Sequence, residues 1–387
     1  MSRRPSAVPP ADTLQNWLFG ETLPYWARHG YDRDCGGFHE RLDETRRPVV
    51  RDGKRAMVQS RQISVFAQAA LRDGMPEAAD LALAGYDFLT SHYRHPDGGW
   101  RFRVARDGGA MDNTRDLYTH AFVLFGLAWR FRLDRSAAAR ALADETVQVL
   151  DRAMAHPAGG YHEAIDPAGR PAEGPRRQNP HMHLFEALLE WHAASGDAAW
   201  LRRATALAEL LAARFCVEGT LREYFTDDLS PAPGAEGRLV EPGHHYEWCW
   251  LLHRYQQASG DPRYAALAAT LYAFAEAHGV DPASGGVIDA VDCAGTPLQR
   301  SRRCWPQTEA IKAHIARFEA TGDPNARDRI ADQAGAFLRA HVEGMPPGAW
   351  REHLDKDGKP LVTVLPASSL YHITLAAAEL ERSRRSG

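Results

Sequence analysis

The polar residues hardest to explain as scaffold fall in six short stretches: Arg61; Tyr118 with His120; Asn179 with His181 and His183; His244 with His245 and Glu247; Trp305 with Gln307 and Glu309; and His372. Imidazoles beside carboxylates are proton-transfer machinery, because a histidine titrates close to neutrality and a carboxylate neighbour fixes its tautomer. His244 and Glu247 stand at i,i+3 and Asn179 and His183 at i,i+4, so each pair shares a helix face. Glu247 is expected to orient His244 and to raise its pKa against the lowering that a helix N-terminus imposes. Metal binding through His181 and His183, or His244 and His245, is the competing use. No thiolate accompanies these histidines and their spacing is no familiar zinc pattern, so neither metal nor cofactor is assigned. His120, His181 and His245 read as satisfied structural histidines. Arg61 has the alternative of tying rim carbonyls, and Gln307 and Glu309 divide between pocket and scaffold.

These stretches share a place in a repeat. The turn Gly36-Gly37-Phe38 has relatives at Gly98-Gly99-Trp100, Gly159-Gly160-Tyr161, Arg222-Glu223-Tyr224, Gly285-Gly286-Val287 and Gly348-Ala349-Trp350, with third residues 62, 61, 63, 63 and 63 apart. A second marker, an Asp opening a helical pattern, recurs at Asp73, Asp134, Asp197, Asp261 and Asp323. Two markers drifting in step define six units of two helices. One-sided outer helices are expected near 12–29, 76–93, 136–154, 199–216, 263–279 and 325–342. More uniformly apolar inner helices are expected near 56–72, 116–131, 180–194, 243–258, 305–320 and 367–382, several marked by an early proline such as Pro180, Pro242, Pro306 or Pro366. The polar residues all fall at the starts of inner helices, so one rim collects them in a single funnel. The fold class is all-α: an (α/α)6 toroid of six helical hairpins with short β-hairpins on one rim. It is expected to span 1–387 as one catalytic domain, with 1–11 as a flexible tail. An open α-solenoid is the alternative, since repeats alone do not prove closure.

Composition narrows the ligand. The net charge of -4 comes with no long single-sign run, which argues against a nucleic-acid groove or an anionic membrane surface as partner. The five cysteines, Cys35, Cys216, Cys249, Cys293 and Cys304, lack C-x-x-C spacing, so reduced thiols are expected. The polar, proline-bearing N-terminus carries no apolar leader core, and a cytoplasmic location is the default. Glycine-rich turns here lack the lysine of a phosphate loop. Oligomeric state is left at monomer or homodimer.

The segments Val58-Gln59-Ser60-Arg61, Asp116-Leu117-Tyr118-Thr119-His120, Asn179 to Ala187, Glu241 to Trp248, Trp305-Pro306-Gln307-Thr308-Glu309 and Ser368 to His372 resemble the N-acylglucosamine 2-epimerase superfamily, in order and one per unit. That superfamily includes cellobiose 2-epimerases, mannose isomerases and sulfoquinovose isomerases. The resemblance implies the same toroid and two proton-transfer histidines acting without a metal, at positions matching His244 and His372, with Glu247 as the orienting carboxylate. It implies sugar contacts from Arg61, Tyr118, Asn179, His183, Trp305 and Gln307. The expected reaction is interconversion of D-mannose and D-fructose, with D-lyxose as a side substrate. A sugar 2-epimerase of N-acylglucosamine or cellobiose type, or a sulfoquinovose isomerase, is the alternative. Rivals of other classes are a glycoside hydrolase, which needs a carboxylate pair, and a non-catalytic carbohydrate-binding protein.

Overall fold

The computed structural model describes residues 9–72 and 75–386. Six helices line the axis: α3 (Ala56–Ala70), α5 (Leu117–Asp134), α7 (Gln178–Ser195), α9 (Pro242–Ser259), α11 (Cys304–Thr321) and α13 (Ser369–Ser386). Around them lie α1 (Pro10–Gln15) and α2 (Leu23–His29), joined by a π-helical turn, then α4 (Glu77–His92), α6 (Ala137–Val149), α8 (Ala198–Leu210), α10 (Ala265–His278) and α12 (Pro324–Phe337). The inner set is apolar nearly all round because it is covered on every side; α3 is buried from Ala56 to Ala69.

The ring is closed. α13 packs on α3 as each inner helix packs on the next. Gln62 Nε2 donates to the Ala367 carbonyl at 2.7 Å, Gln15 Nε2 to that of Ala377 at 2.7 Å, and Trp26 Nε1 to that of Gly348 at 3.0 Å. On the rim, a short strand before each inner helix pairs with a strand of the following unit, as Arg115–Asp116 does with Ala164–Ile165. Arg41–Leu42 pairs with Leu365–Pro366 across the seam between the two ends of the chain. These local pairings make toroid, rather than open solenoid, the architecture.

Several sequence expectations shift in detail. Asp197 and Asp323 are true N-caps, accepting from the Ala199 and Asn325 amides. Asp134 is not, since α5 runs through it and Ser136 caps α6; Asp261 shapes a turn ahead of α10; Asp73 lies outside the described residues. Pro366 sits in the rim strand rather than in the first turn of α13. Of the expected tail, Pro10 and Ala11 already belong to α1, and residues 1–8 lie outside the description. All five cysteines are free. No helix among the described residues is long and apolar enough to cross a membrane.

The fourth repeat turn is also displaced. In the first three units the amide of the aromatic residue donates to Gln59 Oε1, His120 Nε2 and His181 Nε2 in turn. His245 Nε2 receives the amide of Leu221, so the relative of Phe38 is Leu221 and not Tyr224. The correction moves the fourth unit by three residues and brings Glu223 to the position held by Glu40, Glu163, Asp289 and Glu352 elsewhere.

Candidate active site

The amino ends of the inner helices surround a cavity of about 490 Å³. Arg61, Tyr118, Asn179, His183, His244, Glu247, Trp305 and His372 all line it, so eight of the nine expected site residues converge. Gln307 does not. Its side chain accepts the Val287 amide at 2.7 Å and donates to the Val287 carbonyl at 2.8 Å, which makes it the fifth-unit counterpart of Gln59, His120, His181 and His245. Those histidines are the scaffold groups expected: His120, His181 and His245 are each buried, held to about 4 by burial, and spent on rim amides.

His244 and His372 face the cavity with opposite electrostatics. Burial alone would lower the His244 imidazole, but Glu223, with both carboxylate oxygens 3.0 Å from Nδ1, and then Glu241 raise it to about 9. Glu223 is itself fixed by Gln178 Nε2 at 2.9 Å, and Gln178 by Trp248 Nε1 at 2.7 Å. Here the sequence expectation is corrected. Glu223, from the rim, orients His244; Glu247 approaches His183 Nδ1 at 3.8 Å and is only a minor contributor to the charge on His244. Burial and the neighbouring Glu309 push Glu247 well above the usual carboxylate range. Asn179 Nδ2 lies 3.3 Å from His244 Nε2.

His372 is held well below the ordinary histidine value by burial, with Arg61 and Lys312 adding to the effect. Its Nδ1 lies 2.7 Å from Glu309 Oε1, and Glu309 is in turn 2.7 Å from the Lys312 ammonium. A carboxylate whose charge is shared in this way orients the ring while adding little to its basicity. Trp305 joins the two imidazoles, its ring 5.0 Å from that of His244 and 5.5 Å from that of His372. His183, lowered to about 4 by burial, stands 6.4 Å from His372 between rings.

Arg61 is gripped rather than free: it donates to Tyr118 Oη at 2.8 Å and to the Ser368 carbonyl at 3.1 Å while lying over Phe122 and Tyr371. It thus ties a rim carbonyl and also lines the cavity. Six helix amino ends and this guanidinium aim positive potential at the space between the histidines, the environment an oxyanion needs.

Donor sets within 4.8 Å of one another occur at His183, Glu186 and Glu247, and at Glu247, Glu309 and His372. Each set has a carboxylate already engaged: Glu186 accepts the Tyr371 hydroxyl, and Glu309 is paired with the Lys312 ammonium at 2.7 Å and with His372 Nδ1 at 2.7 Å. In the remaining set, His156, His162 and Asp227, His156 Nδ1 accepts the Ala158 amide at 3.0 Å, which leaves its proton on Nε2 facing Asp227 rather than a lone pair for a cation.

Comparison with known proteins extends the geometry. The chain is 34% identical over 380 residues to "Mannose-6-phosphate isomerase" of Rhizobium meliloti (strain 1021), covering 96% of each chain. It is 31% identical to "D-mannose isomerase" of Thermobifida fusca, covering 81% of this chain and 80% of that one. The fold superposes on cellobiose 2-epimerase from Bacillus thermoamylovorans B4167 with a TM-score of 0.88 at 19% identity, covering 96% and 99% of the two chains. The profile of the N-acylglucosamine 2-epimerase (GlcNAc 2-epimerase) family matches residues 36–376, a span that contains both histidines, Trp305, Arg61 and every rim carboxylate described above, and the chain belongs to that family.

Proposed function

We propose that this enzyme interconverts D-mannose and D-fructose by proton transfer through a cis-enediol. His244, as imidazolium, assists ring opening and gives O1 a proton. His372, through a bare Nε2, removes the proton from C2, and the electron pair forms the C1–C2 double bond of the enediol. Arg61 and the helix amino ends lower the energy of the charge on oxygen. The O2 proton then returns to His244, and His372 returns its proton to C1, which makes the ketose.

The observation that carries the reading is the divergence of the two histidines. Once protonated, His372 is the stronger acid of the two and readily gives its proton back to carbon, whereas an imidazolium near 9 is a reluctant carbon acid-catalyst. Isomerisation needs carbon protonation by His372 alone. Epimerisation at C2 needs His244 to protonate carbon on the opposite face. A neutral sugar is supported by the mouth, where Arg55 pairs with Glu40 at 2.8 Å and Arg303 with Glu241 at 2.7 Å, and where Arg177 is bound to Glu163. Hydrolysis is disfavoured because three of the four lining carboxylates are spent, Asp116 on the Thr119 amide, Glu241 on Arg303 and Glu352 on Trp350 and Ser369, which leaves Glu247 without the second carboxylate that hydrolysis needs.

The test is to incubate chelator-treated protein with D-mannose in deuterated water and follow the sugar by proton NMR, with His372→Ala as control. Fructose that disappears in the variant is the expected result. Glucose would mean 2-epimerisation instead, and inertness toward mannose would overturn the assignment.

A further inference from the structure

Lys312 is fully buried in α11, its ammonium 2.7 Å from Glu309 Oε2 and 3.7 Å from the centre of the Trp250 ring. The pair is i,i+3 on one helix. The bridge itself lies within one helix, so the ion pair alone joins no two elements of the barrel. What the pair does reach is the active site, since the other oxygen of Glu309 is 2.7 Å from His372 Nδ1. We propose that Lys312 is a positioning residue: by keeping Glu309 ionised, it makes the carboxylate the acceptor of the His372 Nδ1 proton and so presents a bare Nε2 to the sugar.

The surroundings give the ammonium that task. Burial raises the Glu309 carboxyl on balance, and Lys312, by charge and by hydrogen bond, is the leading influence holding it down. Burial would also depress Lys312, but Glu309, Glu247 and Glu186 more than offset it, so the ammonium stays charged. Without Lys312, Glu309 takes up a proton, and a carboxylic acid can donate to Nδ1. The imidazole then carries its hydrogen on Nε2, facing the substrate, and cannot act as a base. Arg61 on α3, Lys312 on α11 and His183 on α7 lower His372 and Glu186 on α7 raises it, while burial and Glu309 push Glu247 on α9 up. The hydrogen bond at Nδ1 belongs to Glu309.

The inference rests on His372 acting as the base, and its test is separable from that of the isomerase assignment. Histidine-¹⁵N-labelled enzyme is examined by NMR, with the His372 signals assigned by their loss in His372→Gln, and kcat/KM is profiled against pH with whichever sugar the wild type converts. Wild-type His372 is expected to carry hydrogen on Nδ1 near neutrality. Lys312→Met is expected to move it to Nε2, to lower kcat/KM at least 100-fold at pH 7, and to move the acid limb to higher pH as Glu309 must first ionise. Lys312→Gln, which keeps a polar head and loses the charge, should behave in the same direction and covers a failure of Lys312→Met to fold. A wild-type imidazole with hydrogen on Nε2 would overturn the proposal. So would a variant that loses thermal stability but keeps the wild-type tautomer and acid limb. If the wild type turns over no mannose, the isomerase assignment fails while the tautomer result still decides the role of Lys312.

Discussion

Replacing Glu223 with Gln removes the charge beside His244 but leaves an oxygen able to accept the Nδ1 proton. The substitution therefore separates electrostatics from orientation. In the wild type His244 is raised to about 9 against burial, with Glu223 the leading favourable partner. With that charge gone, burial is opposed only by Glu241 and Glu247, and the imidazole moves toward its ordinary 6.5, a loss of up to about 3 kcal/mol for the protonated form. A full return would take the imidazolium at pH 8 from about nine-tenths of the population to about 3 per cent, so kcat/KM drops by up to about 30-fold. In the proposed mechanism His244 acts as an imidazolium, so its ionisation sets the basic limb, which is expected near 9 in the wild type and shifted toward the ordinary histidine value in Glu223→Gln. Initial rates from pH 5 to 10 measure this, and Glu247→Gln, which alters only a minor contributor, should leave the basic limb near its wild-type place. The same linkage appears in stability. A raised histidine contributes fully below its unfolded value and loses that contribution as pH rises through about 9, so the Tm gap between wild type and Glu223→Gln should close above that pH. A basic limb unmoved in Glu223→Gln would refute the assignment of His244 as the acid charged by Glu223.

Gln307→Leu should cost about 1–3 kcal/mol, because it leaves the buried Val287 amide and carbonyl without partners, and should leave KM and the pH profile of folded enzyme as they were; chemical denaturation beside steady-state kinetics checks both. Gly160→Ala should lower stability by about 2–3 kcal/mol: the residue has φ +65°, and an added Cβ would stand 2.6 Å from His181 Nε2, displacing the imidazole that receives the Tyr161 amide. Gly169→Ala is its control, with φ +83° and nothing within 4 Å, so it should show backbone strain alone and a smaller fall in Tm.

The features legible in the sequence are those that a repeat enforces locally. Inner helices announced themselves because burial on all sides leaves an unbroken apolar pattern, and polar residues at their starts stood out against it. What escaped was set by contacts between units. Glu223 was missed because the fourth turn lacks the Gly-Gly signature. At the second glycine position φ is positive at Gly37, Gly99 and Gly160, whereas Thr220 takes that place in a strand and Ala349 takes it in the sixth unit, so glycine is not required there. Aligning the fourth turn on Leu221 exposes Glu223 two residues further on, beside Glu40, Glu163, Asp289 and Glu352 in four of the other five units, a signal present in the chain but hidden by a three-residue slip. Gln307 was misassigned for the converse reason: its place at a helix start matches the cavity residues, and only its equivalence to Gln59, His120, His181 and His245 reveals that this position faces the rim turn. The division of labour between His244 and His372 depends on both kinds of contact. One histidine is charged by a carboxylate from the rim, the other kept neutral by burial, Arg61 and an ammonium within the barrel. In the proposed mechanism the choice between isomer and epimer turns on which imidazole protonates carbon, so specificity is expected to respond to Glu223, Glu309 and Lys312 as much as to the groups that touch the sugar.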